Sequence, residues 1–494
     1  MTLSADTGTP QERSGARSNV ARGSLLGMVG QLWHLVTVFA LYAFLARRLG
    51  PALFGQWRVV LTVLVWFELF IGTGLVKIVT KYVTEGGPHD RPRLARASYL
   101  AQAWVAAAAF TALQLLAGPI AAALHQPSLA PLLRIAALDI PLFGVFMVAS
   151  AVVLGEERFE RQAVSWLIYA TAKAALIAVL VAGGLSVRGA LVGNALSSLV
   201  GFAAVFLPWS RGDARRSQVA TLSRVMLVAS VPFLALSLSE GLGQSADLWF
   251  VSAIVPSATL VGLYASATVL AEIPTFLFLG LNRVLFPAVA RAGADGDPGL
   301  AGRYATGGVR LALMVNVLIV AMIAATGRQA LTLVYSSAYA GAYLPLLLLM
   351  IAATGRTVRA TCAEVLMAED RRRDALTVMV GTLAVEVVLL LVLVPRWGLN
   401  GAAAGVAAAA LTGGAVSVLL LARQVGIRPL ATLGRCAVAG AVVGVALAYL
   451  TPAGAHLWLF VAYPLAAAAY AGLLMLLREI RPDDMAAVRQ AVRR

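Results

Sequence analysis

Arg356 and Arg359 stand three residues apart in a stretch, residues 341–367, whose only other charge is Glu364. On a helix that spacing puts both guanidiniums on one face. Arg356 precedes Met367 by eleven residues, about 16 Å of helical rise. Two cations so placed repel each other unless an anion or a carboxylate lies between them, and the guanidinium fork suits bidentate contact with a phosphate. Two readings follow: an oxyanion ligand, or an internal salt bridge to Glu364, Glu386 or Asp139. Lys173 and Arg134 lie in other apolar stretches and join the candidates for substrate contact. Lys77 and Arg283 lie nearer the ends of theirs, where snorkelling to an interface competes with binding.

The carboxylates Glu68, Asp139, Glu240, Asp247, Glu272, Glu364 and Glu386 also fall in apolar stretches and outnumber these cations. Glu68, Glu272, Asp139 and Asp247 are candidates for carrying H+ or Na+, with neutralisation of buried arginines as the competing role. Helix breakers sit among them at Gly72-Thr73-Gly74, Asp139-Ile140-Pro141, Val231-Pro232 and Glu272-Ile273-Pro274. Irregular backbone at membrane depth is tolerated where it is buried in protein or lines a cavity, and this predicts conformational cycling.

Other chemistries find no residues. There is no G-x-x-x-x-G-K-[ST] loop, which argues against an ATP-driven pump. His34, His89, His125 and His456 are scattered, with no H-E-x-x-H and no Ser/His/Asp pattern, so the expectation is a transporter, not an enzyme. Cys362 and Cys436 form no CxxC and no metal-ligand spacing, so no metal or cofactor is expected beyond a coupling ion.

The elements that must position these groups follow from hydropathy. Of 494 residues, 60% are hydrophobic and 13% charged, with mean hydropathy +0.85, against about half apolar and a quarter charged in soluble domains. The apolar residues come in blocks of about twenty, the length of a membrane-crossing helix. This predicts an all-α integral membrane protein with fourteen spans: 24–46, 57–82, 98–122, 131–154, 164–184, 189–209, 224–251, 258–287, 308–326, 341–367, 375–394, 400–421, 432–451 and 456–477. The domain reading is a polar tail (1–23), a six-helix lobe (24–210), an inter-lobe loop (211–223), a second six-helix lobe (224–424), two further helices (425–480) and a second tail (481–494).

The net charge of +16 follows the same map. The N-terminal tail and the even-numbered loops hold 29 of the 39 Lys and Arg; the odd-numbered loops hold Arg47, Arg48, Arg58, Arg188, Arg328 and Arg396. By the positive-inside rule both termini are cytosolic. The basic residues thus read as topology signals, not as a nucleic-acid surface.

A weak internal repeat accompanies this count. Phe54-Gly55-Gln56-Trp57 matches Val261-Gly262-Leu263-Tyr264, and Glu157, Arg161, Gly189-Ala190 and Gly193 match Glu369, Arg373, Gly401-Ala402 and Gly405. Six spans return the chain to its starting side, so the repeat is parallel, and the two lobes should superpose about an axis along the membrane normal.

Ala46-Arg47-Arg48-Leu49-Gly50-Pro51-Ala52-Leu53-Phe54-Gly55 resembles the loop between the first two helices of polysaccharide and O-antigen (Wzx-type) flippases. Ser230-Val231-Pro232, Ser245-Ala246-Asp247, Val261-Gly262-Leu263-Tyr264 and Val284-Leu285-Phe286-Pro287 resemble the seventh and eighth helices of that family, which belongs to the multidrug, oligosaccharidyl-lipid and polysaccharide (MOP) exporter superfamily. The resemblance implies twelve core helices in two lobes around a cavity, two extra helices, a bacterial inner-membrane location, and alternating access that carries an undecaprenyl-diphosphate-linked oligosaccharide between leaflets. Partners implied are the lipid-linked oligosaccharide and glycan-assembly proteins such as a polymerase. Where lipid II flippases resemble an Ala-x-Arg pattern this chain has Ser266-Ala267-Thr268, which argues against a peptidoglycan precursor. The rival readings are a cation-coupled small-molecule antiporter and a scaffold of a glycan-synthesis complex.

Overall fold

The protein is described by a computed structural model that covers residues 10–87, 89–206, 216–278, 289, 298–425, 429–452 and 456–479. Among these, regular structure is helical, without strands. Ten segments are long and apolar enough to cross a membrane, three of them 54, 47 and 51 residues long. Each of the three contains a left-handed glycine, Gly50, Gly184 or Gly398. At Gly50 (φ 73°) the chain doubles back: Tyr42 and Arg58, sixteen positions apart and about 24 Å along a straight helix, touch at 3.4 Å. Only glycine takes this backbone cheaply, and Pro51, with its preset φ, restarts the helix. Likewise a Cβ added at Gly193 would stand 2.9 Å from Ile177 across the Gly184 break, and one at Gly405 would stand 3.3 Å from Leu389 across Gly398. The three long segments are therefore hairpins of two spans each.

The chain divides into two compact units, Met1–Ser245 and Ala246–Arg494. The first contains α1 (10–49), α2 (51–72), α3 (Gly74–Glu85), α4 (Arg91–Ala123), α5 (Leu129–Ala136), α6 (Asp139–Gly155), α7 (Phe159–Leu180) and α8 (Ser186–Val205). The division falls within α9 (Arg216–Ile254), which continues through Pro232. The expected breakers at Gly72-Thr73-Gly74 and Asp139-Ile140-Pro141 do interrupt, separating α2 from α3 and α5 from α6. Two clusters hold this unit. Leu75, Val79 and Val83 of α3 pack with Ala97 and Ala101 of α4, Val148 and Ala151 of α6, and Met226 of α9. Phe146 of α6 stacks on Tyr169 of α7 at 5.0 Å, with Trp166 against both.

The second unit contains α10 (Ala258–Ala271), α11 (Pro298–Val334), α12 (Tyr343–Ala368), α13 (372–397), α14 (399–425), α15 (Pro429–Leu450) and α16 (Leu459–Leu476). A Cβ on Gly355 of α12 would run into the Ala410 carbonyl of α14, and one on Gly414 would stand 2.9 Å from the Gly355 carbonyl oxygen. Small residues bring these two backbones together, as in other membrane helix pairs. Val443, Leu447, Ala462, Tyr470 and Leu474 pack α15 and α16 against Val317 and Leu318 of α11. Beyond α16, Glu479 is 3% exposed: it accepts from Arg310 Nε (3.0 Å), Thr432 Oγ1 (2.7 Å) and Arg435 Nη1 (2.7 Å), and its backbone carbonyl from Arg310 Nη2. This tie joins both extra helices to α11.

Several helices end alike, α6 and α12 among them. After α6, Arg158 N–H bonds Val153 O across Glu157 (φ 61°); after α12, Arg371 N–H bonds Leu366 O across Asp370 (φ 60°). Both are six-to-one caps of the Schellman type. Leu430, Tyr449, Phe460 and Leu476 are among many large apolar side chains mostly exposed, a surface suited to lipid and not to water.

Candidate functional site

In the first unit five helices bring polar groups together. Gly193 and Gly201 let α8 approach α7 and Phe146 closely. On the same α8 stripe Asn194 and Ser198, four apart, point at Asp139, the first residue of α6. Asn194 Nδ2 donates to Asp139 Oδ2 at 2.7 Å and Ser198 Oγ to Oδ1 at 2.6 Å. Asp139 is fully buried, and its place in the first turn of α6 favours an anion. Glu68 of α2 hydrogen-bonds the Asp139 carboxyl, so the two acids meet directly. Lys173 of α7 acts on both, donates to Tyr169 Oη at 3.4 Å and lies over that ring at 5.6 Å. His34 of α1 feels the Lys173 charge, and its Nδ1 is buried without a partner. Two carboxyls sharing hydrogen bonds beside one ammonium can hold or release a proton with little movement of charge into lipid.

In the second unit Arg356 and Arg359 share a face of α12, as their spacing predicts. Glu386 of α13, 8% exposed, acts on both through its charge, and Asp247 acts on Glu386. Asp247 Oδ2 accepts from Tyr264 Oη of α10 at 2.8 Å, and Oδ1 accepts from Leu248 N–H. Gly413 of α14 leaves room for Arg359, whose Cδ a Cβ there would approach to 3.2 Å. Arg359 Nε is buried with no acceptor. Glu386 thus acts on both guanidiniums, and the unmet Arg359 Nε retains capacity for an added anion.

The structure brings other candidates to different places. Lys173 and Asp139 belong to the first-unit cluster, where Asp139 is met by Glu68, Asn194 and Ser198. Lys77 is exposed on α3 and Arg134 on the last turn of α5, where its backbone carbonyl accepts from Gln114. Glu272 is half-buried just after α10. Arg283 lies outside the described residues. Asn194 and Ser198 escaped the sequence reading although a signal existed: Asn194, Ser197 and Ser198 form a polar stripe in an apolar span. Arg58, counted there as a loop residue, is 8% exposed inside α2. Its Nη1 meets Tyr42 Oη at 3.4 Å, its guanidinium lies 5.2 Å from the Tyr42 ring, and its Nε is buried with no acceptor. Among the described residues no group of three or more His, Cys, Asp or Glu gathers to hold a metal ion.

Hairpins of membrane-crossing helices in two units, each with charged groups at membrane depth, define a multi-pass membrane protein of transporter architecture. A family profile described as "Polysaccharide biosynthesis protein" matches residues 18–292, more than half of the chain. The chain belongs to that polysaccharide biosynthesis family and has the MOP-superfamily fold. Among solved structures it is similar to the lipid II flippase MurJ in an inward closed conformation (TM-score 0.76, 10% identity, 92% of this chain and 99% of that one). It is also similar to an inward-facing multidrug resistance MATE family transporter of the MOP superfamily (TM-score 0.63, 15% identity, 80% and 94%). A third likeness is to a mutant of the Vibrio cholerae MATE transporter VcmN (TM-score 0.54, 15% identity, 84% and 98%). No curated protein matches the chain in sequence.

Proposed function

We propose that the protein is a flippase of the bacterial inner membrane that moves an undecaprenyl-diphosphate-linked oligosaccharide from the cytosolic to the periplasmic leaflet, by alternating access, for polysaccharide assembly. The observation that carries this reading is the guanidinium pair Arg356 and Arg359, on which the carboxylate Glu386 acts, with Arg359 Nε buried and, among the described residues, without an acceptor. A diphosphate supplies the missing negative charge, and a guanidinium fork binds it in two-point geometry. Lys173 is the further substrate-facing cation of the sequence reading, but its company of acids fits a counter-ion better. Membership of the polysaccharide biosynthesis family supports the glycan part. Both termini face the cytosol in this proposal, and glycan-assembly proteins such as a polymerase receive the product.

Glu68 and Asp139 are the proposed carriers of a coupling cation, with Asp247 and Glu386 serving the second unit. The small-molecule antiporter reading draws on the same carboxyl pair. The deciding experiment expresses wild type, Arg356→Ala, Arg356→Lys and Glu386→Gln, and measures protein level together with leaflet transfer of a lipid-linked oligosaccharide in proteoliposomes. Normal protein level with transfer lost in Arg356→Ala, and partly kept in Arg356→Lys, supports substrate contact. Parallel loss of both, restored by Glu386→Gln, assigns the pair a structural role. Proton release stimulated by a cationic drug, with no lipid transfer in wild type, establishes the antiporter.

A further inference from the structure

Among the described residues, Arg58 is a cation with no paired carboxylate. It lies seven residues into α2, opposite Tyr42 of α1, and both residues are eight positions from the turn at Gly50, about 12 Å of rise below it. The side chain is 8% exposed. Among the described residues its contacts are with Tyr42, through Nη1 at 3.4 Å and the ring face at 5.2 Å. Nε is sealed from solvent with no acceptor. Trp57, fully buried, packs edge-on to Tyr42 at 5.1 Å and against Phe54 at 5.7 Å, so the aromatic wall beside the guanidinium is rigid. Lys173 also acts on Tyr42, which places a second positive group near the same phenol.

A guanidinium held this way is costly at rest. The ring face and one long hydrogen bond to a phenol replace little of its hydration, and among the described residues no carboxylate pairs with it. Stability alone does not explain retaining such a group: a neutral side chain of similar size would pack there without the charge. A ligand that brings a negative charge does explain it, because the preorganised donors then gain an acceptor without moving.

We infer that Arg58, braced by Tyr42, is an oxyanion-binding site in the half of the first unit nearest the α1–α2 turn. The inference rests on the flippase reading for its ligand: under the proposed topology this half faces the periplasm, and the site takes the phosphate of the lipid carrier, or a uronate of its glycan, late in the crossing. Tyr42 is the positioning residue, holding the fork by its ring and hydroxyl.

The test uses purified protein in lipid nanodiscs, as wild type and as Arg58→Gln, Arg58→Lys and Tyr42→Phe, with undecaprenyl diphosphate, uncharged undecaprenol and free glucuronate as probes. Wild type is expected to prefer undecaprenyl diphosphate to undecaprenol. Arg58→Gln should lose about tenfold or more of that affinity, with Arg58→Lys and Tyr42→Phe in between. Loss confined to glucuronate assigns the oxyanion to the glycan. The melting temperature separates this role from a structural one. Removing an unpaired buried charge should leave it equal or raised in Arg58→Gln, whereas a structural cation predicts a fall that Arg58→Lys restores, and that fall overturns the site. Wild-type affinity in a folded Arg58→Gln overturns it as well, while leaving the Arg356 and Arg359 reading intact. A wild type that binds none of the anionic probes sinks both.

Discussion

Asn194 gives its amide hydrogen to Asp139 Oδ2 at 2.7 Å while its own Oδ1 is buried without a donor. The asparagine is therefore spent on the carboxyl, and the pair is coupled. Asn194→Ala should cost about 1–3 kcal/mol, because a buried carboxyl loses a donor. Asp139→Asn removes the group that needs it, so the double variant should be destabilised by less than the sum of the single changes, by about 1 kcal/mol or more. Thermal unfolding in detergent measures this, and strict additivity would show that Asn194 does not serve Asp139.

Arg356 sits where it does because its neighbour has no side chain. Gly355→Ala would push a methyl into the Ala410 carbonyl and part α12 from α14, at about 1–3 kcal/mol. Gly118 of α4 has open space at the same position, so Gly118→Ala should be neutral or stabilising by up to about 1 kcal/mol. Equal melting temperatures for the two variants would argue against the close crossing.

Glu479 ties α11, α15 and the end of α16. Burial works against its ionisation, but hydrogen bonds from Thr432, Arg435 and Arg310, with the charge of Arg310, outweigh it and hold the carboxyl below the ordinary glutamate value. A depressed native value contributes stability that is complete above the unfolded value, about 4.3, and is lost as pH falls through the native one. Glu479→Gln should therefore melt lower than wild type at pH 7, by about 1–3 kcal/mol, with the gap closing in acid below pH about 4. A gap that stays constant from pH 7 to pH 3.5 would show that the charge is not what binds the tie.

Topology is testable with thiols, since the native Cys362 and Cys436 are both buried and give little background. Single cysteines at Gln126 and Ser257 are expected to react with an impermeant reagent added outside intact cells, and one at Ser217 to react only after the membrane is opened. The reverse pattern inverts the orientation proposed here.

Hydropathy and glycine placement, both local properties, suffice to determine the membrane class and the helix hairpins. A span needs about twenty apolar residues wherever it packs, and a left-handed turn needs glycine whatever lies beside it. The facing pair Arg356 and Arg359 was legible for the same reason: three residues apart means one helical face. Which charge meets which was not legible. Asp139 is one of the acids the sequence offers those arginines, and three other helices of its own unit surround it with Glu68, Lys173, Asn194 and Ser198, residues up to 130 positions apart along the chain. Arg58 borders an apolar block in the sequence, and only the fold of α1 back onto α2 buries it against Tyr42. The cost of a charge in lipid is read from its position in a span; the group that offsets it is chosen by how the helices pack, which depends on small residues such as Gly193, Gly355 and Gly413 meeting across the bundle.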